Sequence, residues 1–84
     1  MKQYLASIDI MPHKELLDPQ GKTVARNMDH MDLHGISDVR VGKHIEVKFE
    51  AADEKSAEKL IHDACQKLLT NVITETYTFQ ITSA

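Results

Sequence analysis

The sequence predicts an α+β fold: a two-layer sandwich with two helices on one face of a single, mainly antiparallel sheet, in the order β-α-β(β)-α-β. Three observations lead there. Three segments alternate apolar and polar side chains with period two, as half-buried strands do. Two segments between them carry apolar residues at helical spacing. Each strand segment has one apolar and one mostly polar face, so one layer of helices covers the sheet.

The first alternating segment is residues 3–11. Tyr4, Ala6, Ile8 and Ile10 share one face, and Gln3, Ser7 and Asp9 the other, where Leu5 and Met11 add apolar bulk. Pro12 cannot donate to a ladder and ends the strand. The run Leu17-Asp18-Pro19-Gln20-Gly21 then starts a helix. Asp18 accepts a bond from a free amide and its charge suits the positive end of the helix dipole. Pro19 fits the first helical position. Val24, Met28 and Met31 follow at i, i+4 and i+7, and Gly35 is expected to end the helix in the left-handed C′ conformation, placing it at about 19–33.

Residues 38–50 hold the clearest alternation. Val39, Val41, Ile45, Val47 and Phe49 share one parity; Asp38, Arg40, His44, Glu46, Lys48 and Glu50 share the other. Lys43 alone breaks the apolar face, directly after Gly42. A three-residue hairpin loop at 42–44 fits this pattern. So does one long strand bent at Gly42. Thirteen residues at ~3.3 Å each span ~43 Å, more than the sheet of so short a chain needs. Such a strand runs on into a partner chain, and the unbroken parity favours it.

Asp53 or Ser56 caps a second helix, whose stripe is Ala57, Leu60, Ile61, Ala64, Leu68 and Leu69, with Asn71 expected at its C-cap. The last strand is about 72–82, with Ile73, Tyr77, Phe79 and Ile81 on one face, Glu75 as the exception, and threonines with Gln80 on the other.

Composition bounds the function. With 84 residues, 42% hydrophobic and 27% charged, the chain reads as one domain, 1–84, with a modest core. A net charge of −3 and no Trp argue against nucleic acid, which demands clustered positive charge and stacking surfaces. No apolar run approaches the roughly 20 residues a membrane span needs. The lone Cys65 forms no intrachain disulfide, and the N-terminus lacks the pattern of a signal peptide, so a cytoplasmic setting is expected.

Candidate chemistry is sparse. His30 and His34 are four apart, as in some zinc pairs, but lack a further ligand at a recognised spacing. Exposed histidines near a helix C-terminus explain them better. Cys65 with His62, three residues away, suggests a nucleophile and base; a small buried cysteine is the commoner meaning. The amides around Asp18 form an anion site in principle, though Asp18 itself would repel a phosphate. Arg40, Gly42, Lys43 and His44 cluster and suit a phosphate or a partner's acidic patch. The residues therefore describe a binding or interaction module, the alternative being a stand-alone ligand- or metal-binding domain.

Four blocks occur in order: Leu17-Asp18-Pro19-Gln20-Gly21, Asp38-Val39-Arg40-Val41-Gly42-Lys43, Cys65-Gln66-Lys67-Leu68-Leu69-Thr70-Asn71 and Glu75-Thr76-Tyr77. Together they resemble the PurS family, the small subunits of phosphoribosylformylglycinamidine synthase, over essentially the whole chain. Departures are modest: Val41 stands where family members often carry isoleucine, and Thr74 and Thr76 flank Glu75 in place of an apolar residue and an acid. The resemblance implies a homodimer or tetramer without catalytic residues, metal or bound cofactor. It further implies a large synthetase subunit that uses ATP and Mg, a glutaminase subunit with its own cysteine, and ammonia passing between them. Arg40, Gly42, Lys43 and His44 are then the candidates for the partner interface, and Asp18, Pro19, Gly21, Gly35 and Asn71 are structural.

Overall fold

The computed structural model describes residues 1–14 and 18–84. Leu17, the first residue of the first motif, lies outside the described residues. The elements are strand β1 (Lys2–Pro12), helix α1 (Pro19–His30), strand β2 (Lys43–Ala51), helix α2 (Glu54–Ala64) continued by a π-helical turn (Cys65–Leu69), and strand β3 (Glu75–Ser83). The sheet is antiparallel with order β2-β1-β3.

β1 takes the centre, so its apolar face is covered on both sides. Tyr4, Ala6, Ile8 and Ile10 are all buried, whereas Ile45, Val47 and Phe49 on β2 and Tyr77, Phe79 and Ile81 on β3 are half-buried. The register sets Ile8 opposite Ile45 on one side and Phe79 on the other, and Ile10 opposite Lys43 and Tyr77. Tyr4 stacks on Phe49 with ring centroids 5.8 Å apart.

Helix α2, capped by Asp53 whose carboxylate accepts from the Ser56 amide at 2.8 Å, lays Ala57, Ile61 and Cys65 on this face. The π-helical turn then inserts one extra residue. The Thr70 amide donates to the Cys65 carbonyl at 3.0 Å, an i→i+5 bond. The turn rotates Leu69 toward the core and leaves Leu68 82% exposed. Of the stripe expected of the sequence, Ala57, Ile61 and Leu69 face the core, whereas Leu60 and Leu68 face outward. Thr70, not Asn71, is the C-cap.

Helix α1 ends at His30, earlier than expected. Asp32 takes the left-handed conformation (φ 62°), the Asp32 amide donates to the Asp29 carbonyl at 3.2 Å, and the Leu33 amide to Met28 at 2.9 Å. That double closure ends the helix at an aspartate, one of the few side chains that tolerate positive φ. Gly35 does adopt φ 88°, but in the segment beyond the helix.

The long segment 38–50 resolves into neither expected form within one chain. β2 begins at Lys43 and pairs with β1; residues 38–42 form no hairpin with it and pair with no other described strand. α1 makes no extensive contact with the strands or with α2. The reason is width. The outer strands of a three-stranded sheet lie about 10 Å apart, the diameter of one helix, and α2 occupies that space. Consequently the chain is long, 52 × 26 × 15 Å. Its radius of gyration of 16.6 Å exceeds the about 12 Å of a compact chain this size.

Candidate functional site

The four sequence blocks meet at one end of the sheet, and Asp18 makes the first link. Its Oδ1 accepts from the Gly21 amide at 3.0 Å, capping α1, and its Oδ2 accepts from the Val41 amide at 2.9 Å. The Gly21 amide, then the Val41 amide, hold the Asp18 carboxyl below the usual carboxylate range. Gly21 completes this joint because a Cβ there would strike the Val39 carbonyl oxygen. Pro19 occupies the first turn above the cap.

Lys43 makes the second link. Its Nζ lies 3.5 Å from Glu75 Oε2. Lys43 sits opposite Ile10 and Glu75 opposite Pro12, so the pair reaches across β1 at the end of the apolar face. Glu75 makes the third link, accepting the Asn71 amide through Oε1 at 2.9 Å. This amide first, and Lys43 in addition, lower the Glu75 pKa against a burial that raises it. Asn71 organises the turn into β3: its carbonyl accepts from the Thr74 and Glu75 amides, and its Oδ1 from the Ile73 amide at 3.1 Å.

A cleft of about 260 Å³ opens among Pro12, the Asp18–Gln20 turn, Val41–Lys43 and Glu75. Gly42 forms part of its wall. A side chain on Gly42 would strike the Ile10 carbonyl and Met11 Sδ, so close strand approach, not positive φ, requires glycine there. Of the four interface candidates, Gly42 and Lys43 line this cleft. Arg40 lines a neighbouring one with Pro12, His13, Lys14 and Thr76. His44 falls on the opposite face, where its Nδ1 is 2.6 Å from Asp9 Oδ1. The Asp9 contact raises the His44 pKa. Strand parity separates His44 from its sequence neighbours.

The other candidates separate. Cys65 is buried and burial pushes its thiol pKa up. His62 turns instead to Tyr77, whose Oη is 2.7 Å from Nδ1 and accepts from Gln66 Nε2 at 3.0 Å. His34 lies 3.1 Å from Asp29, and among the described residues no group of three metal-ligating side chains forms. Glu75 is the residue that motif reading undervalued. Its signal was the same parity break that marked Lys43.

A family model described as "PurS: Phosphoribosylformylglycinamidine (FGAM) synthase" matches residues 5–83. The chain belongs to the PurS family. The PurS subunit of phosphoribosylformylglycinamidine synthase from Synechocystis is 36% identical over 80 residues, spanning 95% of this chain and 80% of that protein. The structure of Bacillus subtilis PurS matches with a TM-score of 0.86 at 30% identity, over 95% of this chain and 99% of that one. A chain of the PurLQS structure from Thermotoga maritima matches with a TM-score of 0.89 at 27% identity, over 98% of this chain and all of that one. The PurS fold is thus the two helices and antiparallel three-stranded sheet described above.

Proposed function

We propose that this chain, as one domain over residues 1–84, is the non-catalytic subunit that bridges the large synthetase and the glutaminase of phosphoribosylformylglycinamidine synthase in purine biosynthesis. The complex converts formylglycinamide ribonucleotide, glutamine and ATP into the formylglycinamidine, glutamate, ADP and phosphate. ATP and Mg act on the synthetase subunit and the glutaminase releases ammonia. This chain contributes surfaces. In neutral water ammonia is mostly protonated and no longer nucleophilic, so a direct path between sites raises its effective concentration and excludes water.

One observation carries this reading: the chain holds out an arm that its own fold does not cover. Met31 is 73% exposed, and Leu33 and Ile36 are also exposed, beside a segment ending at Gly42 that pairs with no described strand. An elongated chain with uncovered apolar residues and open sheet edges at β2 and β3 is suited to neighbours. A second copy, in a homodimer or tetramer, takes up the 38–42 segment, and the larger subunits dock around it, with the Gly42–Lys43 edge facing them. The complex works in the cytoplasm.

Reconstitution tests the assignment. The purified chain alone is expected to show neither glutaminase nor ATPase activity and to sediment as an oligomer. Added to synthetase and glutaminase, it restores glutamine-dependent synthesis. Full glutamine-dependent turnover by the two larger subunits without this chain overturns the proposal.

A further inference from the structure

We infer that residues 38–42 pair with the outer edge of β2 in a second copy, antiparallel and about a two-fold axis through Lys43; this rests on the second copy proposed above and gives it a register. The segment is already held from one side. Asp18 binds the Val41 amide at 2.9 Å, and the Val39 carbonyl abuts Gly21. Val39 and Val41 thus present backbone groups to the same side, as alternate residues of an extended chain do, which turns the amides and carbonyls of Asp38, Arg40 and Gly42 the other way. Among the described residues those groups make no backbone hydrogen bond, and the outer edge of β2 meets no strand. An edge fixed in place beforehand loses less entropy on pairing.

The side chains select one register. With the axis at Lys43, Val41 meets Ile45 and Val39 meets Val47 on the apolar face. On the other face Asp38 meets Lys48 and Arg40 meets Glu46, so the charges at both positions are opposite in sign. Two-fold symmetry repeats every pair. Sliding by two residues is the smallest shift that keeps the faces. In one direction it sets Asp38 against Glu46; in the other it sets Asp38 against Glu50 and Arg40 against Lys48. The edge of β3 offers no charge match, since Thr76 to Ser83 carries none. Asp38 and Lys48 have no ion-pair partner among the described residues. The two Lys43 side chains meet at the axis, where each has Glu75 at 3.5 Å to offset its charge. Pairing engages the backbone edge and leaves the Lys43 cleft on the sheet face for the larger subunits.

The same pairs would form within one chain through a loop at 42–44. The fold opposes that loop. Lys43 and His44 are the first residues of β2, set opposite Ile10 and Asp9, and they hold Glu75 and Asp9. A three-residue hairpin loop also needs a left-handed residue, and among the described residues only Asp32 and Gly35 have positive φ. Exchange between two copies keeps the new pairs and the existing contacts together.

The test is sedimentation of the purified full chain, alone and in mixtures. D38K sets lysine against lysine twice in a homodimer, and K48D sets aspartate against aspartate twice. Each variant is expected to dissociate about tenfold or more as readily as wild type. An equimolar mixture of D38K and K48D restores both opposite-charge pairs, but only between unlike chains. It is expected to associate like wild type and to give one-to-one heterodimers in native mass spectrometry. A mixture no tighter than the separate variants overturns the inference, as do D38K and K48D homodimers as tight as wild type.

Circular dichroism checks folding, and if either variant is unfolded, cross-linking decides. In a C65A background, K43C is expected to form an interchain disulfide on oxidation, because residues opposite each other on the axis bring their Cα atoms to about 4.5–5.5 Å. H44C, one residue off the axis, is expected to stay reduced. A dimer in which K43C does not cross-link, or in which H44C cross-links instead, overturns the register and leaves the second copy standing. A wild-type chain that sediments as a monomer at every concentration overturns both together.

Discussion

Lys43 and Glu75, the two residues that interrupt the apolar alternation of their strands, lie 3.5 Å apart across the end of β1. Each irregularity is explained by the other. Together with Asp18 and Asn71 they join segments far apart in sequence: Asp18 holds Val41, and Glu75 holds Lys43 and Asn71.

A double-mutant cycle with K43M and E75Q measures this link. The side chains are 56% and 21% exposed, so solvent screens the pair and a coupling of about 0.5 kcal/mol is expected from urea denaturation at fixed protein concentration. E75Q alone destabilises more than K43M, because it also removes the charged acceptor of the Asn71 amide. Strict additivity would show that the two residues act independently.

Gly42 and Gly35 separate two reasons for glycine. G42A drives a methyl into the Ile10 carbonyl and Met11, and is expected to destabilise by about 1–3 kcal/mol and to shift β2 against β1. At Gly35 nothing lies within 4 Å of an added Cβ, so G35A meets only the strain of φ 88°, about 1 kcal/mol. Thermal denaturation of both variants, with amide exchange along β1 and β2, checks the order. A G42A chain as stable as wild type contradicts the close approach.

Stability should fall on both sides of a window near neutrality. Asp18, Asp53 and Glu75 have folded pKa values below their usual 3.8, 3.8 and 4.5. The unfolded chain therefore binds protons first, and their contribution, complete above these values, is lost as the pH falls through the folded ones. His44 has the opposite sign. Its pKa is raised above 6.5 by Asp9, so its contribution is complete below 6.5 and is lost as the pH rises through the folded value. D9N should flatten the alkaline limb and leave the acid limb in place, as read from denaturation midpoints between pH 3 and 9. An unchanged alkaline limb in D9N would rule out the His44–Asp9 pair as its source.

Cys65 should matter by packing alone. C65A removes a fully buried sulfur beside Ile8, Ile10 and Ile61, and a loss of about 1 kcal/mol is expected. In the reconstituted complex, saturating C65A should support wild-type glutamine-dependent turnover. Loss of turnover with assembly intact would give the thiol a chemical role.

Local structure was legible wherever one side chain's chemistry decides it. Asp18 and Pro19 mark the start of α1, Asp53 that of α2, and period-two alternation marks all three strands. The helix ends were less so. The π-helical turn at Cys65–Leu69 adds a residue that no periodicity announces, turning Leu68 outward, and Asp32 closes α1 before Gly35 is reached. Both depend on which backbone amides find carbonyls at the ends. Side-chain spacing does not encode that choice.

The candidate site divides in the same way. Lys43 stood out because a charge on an apolar face needs a reason, but its reason, Glu75, is 32 positions away and visible only once β1 lies between them. Arg40, Lys43 and His44 look like one cluster in the chain; alternation sends His44 to the far face, and the Asp18–Val41 bond sets Arg40 in its own cleft.

By itself the sequence determined the α+β class, the helix N-caps, the inward face of each strand and the family, because these follow from local spacing and side-chain chemistry. Only the tertiary structure decided that β1 is central, that α2 alone covers the sheet and that α1 reaches away from it. Those outcomes turn on the width of a three-stranded sheet and on which segments compete to cover it, which no stretch of the chain carries alone.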